Sequence, residues 1–306
     1  MRFGIVGLGR MGANLARSAM EHGHEVFGYD RDEHVTAALA SEGLKATDSL
    51  PELVDWLAPP RVVLIYLPHG HPTEGACRNL RALLQPGDLA VDGGNSHWED
   101  SRRRHTELAR EGIDFIDLGT SGGLQGARHG ACFMAGGERE AYRLIEPLLI
   151  DLAFDERGTM LVGGPGSGHF AKLIHNAIEF GMVQAIAEGV EMLERSEFDI
   201  DVASLLDNWA HGSVIRSWLI ELMRDSLHEY PDLDRLATFV EDTGEVKWVL
   251  DWALENDIPS PVVSESQQAL MTYRDLQWPA AKAVALLRHA FGAHPVHTVD
   301  EHLVRS

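Results

Sequence analysis

Lysine is scarce in this 306-residue chain: Lys45, Lys172, Lys247 and Lys282 are the only four, and the other 22 of its 26 cations are arginines. Positive charge is short as a whole, with 26 Lys and Arg against 47 Asp and Glu and a net charge of −21. That excludes a protein whose affinity rests on a basic nucleic-acid footprint, and the acidic surface reads as a solubility device. Cysteine is nearly absent: Cys77 and Cys132 stand in no metal-ligand spacing, so neither a disulfide framework nor a zinc site is expected. No metal is expected elsewhere either, because the 16 histidines are scattered and His69-Gly70-His71 lacks a third ligand nearby. Long apolar runs are missing too. The richest, Val62 to Leu67, is far short of the roughly 18 to 20 residues of a membrane span, so no membrane partner is expected. The chain opens on Met1-Arg2-Phe3-Gly4 without the features of a signal peptide, and a reducing cytoplasm is the expected home.

What is present is the composition of a globular protein, 44% hydrophobic and 24% charged, at a length that suggests two domains. The first half alternates short β-branched runs with helical patterns, the signature of βαβ units around a parallel sheet. Strands are predicted at Phe3–Val6, Glu25–Tyr29, Val62–Leu67, Leu89–Asp92, Asp114–Leu118 and Cys132–Ala135. After the turn-rich Gly163-Gly164-Pro165-Gly166-Ser167-Gly168 the pattern changes to one long helix, Gly168 to about Arg195, that reads as buried on most sides. Further helices are predicted at Val202–Trp209, Val214–Asp225, Thr243–Glu255, Ser260–Tyr273 and Ala280–Phe291. The expected architecture is α/β, a Rossmann-type domain over 1–165 followed by an all-α domain over 166–306.

Gly7-Leu8-Gly9-Arg10-Met11-Gly12 follows the first strand directly and opens an amphipathic helix. In that context Gly7 makes the tight turn, Gly9 admits a pyrophosphate to the backbone, and Gly12 packs helix on strand. Asp30, at the end of the second strand, suits the two ribose hydroxyls and opposes a 2′-phosphate, which favours NAD over NADP; the neighbouring Arg31 is the one cation placed to argue otherwise. Leu67, Pro68 and His69 to His71, in the loop after the third strand, are expected near the nicotinamide.

On the long helix Lys172, His175, Asn176 and Glu179 stand at offsets 0, 3, 4 and 7, hence on one face. Four polar groups on a helix otherwise uncharged from His169 to Ala187 are costly unless they line a cleft. Lysine also offers what arginine cannot, an amine able to lose its proton. The loops at Asp92-Gly93-Gly94-Asn95-Ser96 and Gly119-Thr120-Ser121-Gly122-Gly123 are expected after the fourth and fifth strands, at the carboxyl edge where open α/β sheets bind ligands. A lysine base and a carboxylic acid beside a dinucleotide site point to oxidation of a hydroxyl carbon, followed by loss of carbon dioxide if the new ketone lies β to a carboxylate.

At this point the chain resembles the short bacterial type of decarboxylating 6-phosphogluconate dehydrogenase, within the β-hydroxyacid dehydrogenase superfamily. The motifs that carry the resemblance run from the glycine loop through Asp92-Gly93-Gly94-Asn95, Ser121-Gly122-Gly123, Lys172 to Glu179 and Trp209 to Ser217, to Arg288-His289-Ala290-Phe291-Gly292-Ala293-His294. The resemblance implies Lys172 as general base and Glu179 as general acid. It implies Asn95, Ser121, Gly122, Gly123, His175 and Asn176 as contacts to an anionic sugar acid, with Asn95 also at the cofactor and Asn176 also in the catalytic set, and a tail with Arg288 and His294 that reaches a substrate site, in the long relatives that of the partner subunit. It also implies a homodimer. Cousins that act on β-hydroxyacids without decarboxylation share the lysine and the asparagine, but not the His175 and Glu179 pattern.

Three positions depart from the family pattern. Phe180 stands where a tyrosine is usual, Leu270 where an arginine is expected, and Gly244-Glu245-Val246-Lys247-Trp248 where Gly-Glu-Gly-Arg-Trp or Gly-Thr-Gly-Lys-Trp is usual. All three bear on the group at carbon 6. The default is a phosphate held by Lys247 and Arg288, and the alternative is a singly charged group such as a 6-sulfonate, which demands fewer donors.

Overall fold

The computed structural model describes residues 1–273 and, beyond them, 280, 283, 284, 286 and 287. Its first part runs β1 (Arg2–Val6), α1 (Arg10–Glu21), β2 (Glu25–Tyr29), α2 (Glu33–Ser41), β3 (Lys45–Ala46), α3 (Leu50–Asp55), β4 (Val62–Ile65), α4 (His71–Leu83), β5 (Leu89–Asp92), α5 (Trp98–Ala109), β6 (Asp114–Ser121), α6 (Gly123–His129), β7 (Cys132–Gly137), α7 (Arg139–Leu152) and β8 (Thr159–Gly163). There follow α8 (Ser167–Glu194), α9 (Val202–Ala210), α10 (Trp218–Glu229), α11 (Glu245–Glu255) and α12 (Pro261–Thr272).

The strands form one sheet in the order β3-β2-β1-β4-β5-β6-β7-β8, parallel except where β7 runs against β6. Strict alternation along the strands feeds two cores. Phe3, Ile5, Val62, Leu64, Leu89, Val91, Ile116 and Leu118 pack with α1, α2, α6 and α7, while Val6, Val63, Ile65, Ala90 and Phe115 pack with α3, α4 and α5. Both faces are covered, which is why these strands read as continuous apolar runs. The connections reverse direction at β1 and β4, so the carboxyl ends of those strands border the crevice where doubly wound sheets take their ligands.

Several expectations need correction. β3 and β8 were not predicted: the first is a two-residue pairing to Phe27 and Gly28, and the second an edge strand. β4 ends at Ile65, the last residue with a strand partner on both sides, rather than at Leu67. β6 runs on through Gly119, Thr120 and Ser121, because these pair with Met134, Phe133 and Cys132, so they are strand rather than loop. α10 begins at Trp218, after Ser217 caps it by accepting from the Ile220 N–H, and not at Val214. The long helix has the expected extent, but it is not buried on most sides: Ile178, Val183 and Met192 are 57%, 47% and 68% exposed. Of the helix predicted over Ala280–Phe291 only 280, 283, 284, 286 and 287 are described, all helical.

The chain divides into two compact units, Met1–Ile178 with Glu245–Trp252, and Glu179–Gly244 with Ala253–Ser306. The first holds both sheet cores. The second holds a small core of Val190, Val202, Leu206, Ile220 and Leu227. Among the described residues no helix is long and apolar enough to cross a membrane, and no group of His, Cys, Asp or Glu is arranged to hold a metal ion.

Candidate active site

The glycine loop behaves as its spacing predicts, with a different physical reason at each glycine. Gly7 has φ +93°, and a Cβ there would stand 2.4 Å from the Tyr66 carbonyl. Gly12 lies so close under the turn that a Cβ would meet the Gly7 carbonyl at 2.0 Å. Gly9, the N-cap of α1, is open, with no atom within 4 Å of a Cβ built there. Neither a side-chain cap nor an acidic residue occupies the first turn of α1, so its N–H groups and positive end are available to a pyrophosphate. The donor set and the space above Gly9 fit a dinucleotide. Asp30 accepts from the Leu8 N–H at 2.7 Å and the Asp32 N–H at 3.0 Å, which ties the tip of β2 to the glycine loop. Arg31 is exposed, as is Arg10, and Met11 packs against the core.

The next loops meet at the carboxyl ends of β4 and β5. Thr73 of α4 donates to the Pro68 carbonyl at 2.8 Å and so fixes the Leu67–Pro68 turn. The loop after β5 is held from beneath by a buried charge pair. Asp92 accepts from the Gly94 N–H at 3.0 Å, from the Ser96 hydroxyl at 2.8 Å and from the Arg104 guanidinium at 3.0 Å, with Asp92 and Arg104 both buried. Asn95, at the top of this loop, donates through Nδ2 to Oε1 of Glu245 in the first turn of α11. Trp248, one turn on, lies 5.1 Å from the His69 ring and 5.1 Å from the His97 ring, edge to face with each. Burial lowers the His97 imidazole from its ordinary range.

The start of α8 is pinned to the sheet. Asp117 of β6 accepts from the Gly166 N–H at 2.7 Å and the His169 N–H at 2.8 Å, and burial pushes its carboxyl above the usual range. A Cβ on Gly119 of β6 would stand 2.5 Å from the Lys172 Cβ, so helix and strand approach as closely as a glycine allows. From there Lys172 donates through Nζ to Asn176 Oδ1 at 2.6 Å and lies 3.3 Å from His175 Nδ1. His175 Nε2 is 3.0 Å from the Ser121 hydroxyl. His175 Nδ1 also lies 3.3 Å from Asn176 Oδ1. The structure thus brings together Lys172, His175, Asn176 and Ser121, all half-buried. Gly122 and Gly123 follow at the start of α6, and Gly123 is open in the manner of Gly9.

Residues 2–163 match the family description "NAD binding domain of 6-phosphogluconate dehydrogenase", and residues 191–305 match "6-phosphogluconate dehydrogenase, C-terminal domain". The chain belongs to the 6-phosphogluconate dehydrogenase family. Among its relatives, the protein YqeC of Bacillus subtilis is 42% identical over 96% of this chain and 98% of that one. The NAD(+)-dependent, decarboxylating 6-phosphogluconate dehydrogenase of Haloferax volcanii is 34% identical over 98% of this chain and its own full length. Among solved structures, 6-phosphogluconate dehydrogenase of Plasmodium falciparum superposes with a TM-score of 0.83 at 25% identity, covering 97% of this chain and 66% of that one. Its structures include complexes with NADP+ and with 6-phosphogluconate.

Within this family frame, Lys247 is half-buried on α11, in the same unit as the glycine loop. Glu179 is half-buried on α8 at the first residue of the second unit, which also holds Phe180 and Leu270. Arg288 and His294 lie outside the described residues. Sequence reasoning missed Glu245 as a partner of Asn95, the Asp92–Arg104 pair and the capping of α8 by Asp117. The signal for the first was a carboxylate inside a quoted motif. Asp92 likewise stands in a motif, but nothing in the sequence marks Arg104 as its partner or Asp117 as the cap of α8, because a buried charge has no periodicity to betray its partner.

Proposed function

We propose that this chain catalyses NAD-dependent oxidative decarboxylation of a C6-substituted gluconate, with 6-phosphogluconate as substrate and ribulose 5-phosphate, carbon dioxide and NADH as products. The observation that carries the reading is the hydrogen-bonded group of Lys172, His175, Asn176 and Ser121, in the same unit as a glycine loop left open at Gly9. Residues 1–165 bind the cofactor, and residues 166–306 supply substrate and dimer contacts.

Lys172, as the free amine, takes the proton of the hydroxyl on the carbon β to the carboxylate while that carbon becomes a ketone. A nicotinamide cofactor held at Gly7, Gly9, Gly12 and Asp30 would supply the acceptor for the hydride that leaves the same carbon. The Lys172 ammonium then returns its proton to the ketone oxygen as the carbon–carboxylate bond breaks, so the electron pair released with carbon dioxide is held as a neutral enol. Glu179 protonates the enol carbon while Lys172 takes back the hydroxyl proton, which leaves the ketone product. Asn176 keeps the lysine oriented, and His175, Ser121, Gly122, Gly123 and Asn95 hold the hydroxyls and carboxylate. Lys247, Arg288 and His294 hold the group at carbon 6.

Asp30 favours NAD, because a 2′-phosphate would stand against a carboxylate fixed by two backbone N–H groups. Asp30→Ala therefore lowers the ratio of NAD to NADP turnover, and an unchanged ratio would remove this argument. A homodimer accounts for the apolar surface of the helical unit, where Phe198, Val214 and Val262 are exposed alongside Met192; monomers in light scattering would refute it.

The test is incubation with 6-phosphogluconate and NAD, following NADH absorbance and released carbon dioxide together. NADH without carbon dioxide would sink the decarboxylase reading. Turnover of 6-sulfogluconate but not of the phosphate would move the substrate to the singly charged alternative, which the departures at Phe180 and Leu270 favour.

A further inference from the structure

We propose that Glu245 is a positioning residue that sets the side-chain amide of Asn95, so that the carbonyl Oδ1 of Asn95 faces the ligand as an acceptor. The proposal rests on the reading of Asn95 as a ligand contact. The contact joins residues 150 apart in the chain and falls between the loop after β5 and the first turn of α11. A carboxylate at the start of a helix is ordinary when solvated, since it complements the helix dipole. Glu245 is instead 7% exposed, and its Oε1 accepts from Asn95 Nδ2.

An ionised carboxylate has only acceptors, whereas an amide has a donor side and an acceptor side. Glu245 therefore captures the NH2 side and turns Oδ1 away. A primary amide otherwise rotates about a broad, two-fold torsion, so without this partner Asn95 would present either side. The rest of the loop needs no such help. Its backbone and neighbours are already fixed by Asp92, through Gly94, Ser96 and Arg104. The helix that delivers Glu245 is held at the same edge of the sheet by Trp248 against His69 and His97. The ligand group addressed by Oδ1 is a donor, either a sugar hydroxyl or the carboxamide N–H of the nicotinamide.

A double-mutant cycle on the full chain tests this, using Asn95→Ala, Glu245→Met and the pair, with Glu245→Gln as the conservative variant. Turnover of 6-phosphogluconate with NAD and the affinity for NADH are both measured, the second by nicotinamide fluorescence. If the wild-type chain turns over neither 6-phosphogluconate nor 6-sulfogluconate, the proposed function fails and the NADH cycle decides the present proposal alone. The expectation is that each single variant loses about tenfold in the same quantity, while the pair loses no more than about twofold beyond Asn95→Ala, because residues coupled through a shared contact are not additive. Glu245→Gln keeps an acceptor and should stay within about threefold of wild type. Losses that multiply in the pair, or a Glu245→Gln variant as impaired as Glu245→Met, would overturn the proposal. A purely structural role for Glu245 predicts the multiplicative result.

Discussion

The glycine loop and the stripe on α8 are two ways of building a site. The first is made of backbone: its three glycines are fixed by a positive φ, a close approach and an open space, and the side chains between them are a core leucine, an exposed arginine and a core-packed methionine. The second is made of side chains, with Lys172, His175, Asn176 and Ser121 joined by hydrogen bonds and each unable to be replaced without a change in chemistry. The difference teaches where substitutions should register. In the loop they act through shape, on cofactor affinity and stability. On α8, under the proposed function, they should act through protons, on the rate of the chemical step.

The sharpest way to break that contrast is Lys172→Met. Loss of a positioned base should lower kcat by about a thousandfold with NADH affinity within a factor of about two; a variant that keeps substantial NADH formation would remove Lys172 from the role of base. Gly119→Ala probes the junction of the two kinds of site, since the added methyl would lie 2.5 Å from the Lys172 Cβ. A displacement of the lysine of order 1 Å costs about a hundredfold in kcat, and a variant with normal kcat would show that the helix can shift without consequence. In the loop, Gly9→Ala and Gly12→Ala separate function from fold. The first meets no protein atom, so NADH affinity should fall about tenfold with an unchanged melting temperature. The second collides with the Gly7 carbonyl and should cost about 1–3 kcal/mol of stability as well. Equal melting temperatures for the two would contradict the packing role of Gly12.

The same contrast explains what the sequence revealed. The strands β4 and β5 were legible because both faces are buried, which leaves uninterrupted runs such as Val62 to Ile65. β3 was not, because a two-residue pairing at Lys45 and Ala46 carries no pattern, and β8 was not, because its apolar run, Met160 to Val162, is only three residues long. On α8 the offsets of a helix made the Lys172, His175 and Asn176 cluster readable, since local geometry places residues three and four apart together. The same reasoning overstated the burial of that helix, because periodicity tells which residues share a face and not what covers it. Glu245, Asp117 and Arg104 reach the site from distant segments, and their contacts depend on tertiary packing that local pattern does not encode.

The smallest expected effect concerns the charges beneath the loop after β5. Glu74 of α4 accepts from Arg103 at 2.6 Å and from Arg104 at 3.2 Å, and these guanidinium groups hold its carboxyl down to about 2, Arg103 contributing most. A carboxyl whose pKa is lowered in the folded state stabilises the fold above its unfolded value, near 4.5, and that stabilisation is lost as the pH falls toward 2. Glu74→Gln should therefore lower the melting temperature slightly at pH 7, and the difference should fade only as the pH falls through about 2, where the wild-type carboxyl also loses its charge in the folded protein. Because Arg103 and Glu74 are solvated, the difference at pH 7 should stay below about 1 kcal/mol. Turnover should scarcely change, since Arg104 keeps its buried partner Asp92 whether or not Glu74 is charged. A large loss of turnover in Glu74→Gln would mean that the loop carrying Asn95 depends on the outer carboxylate and not on the buried pair alone.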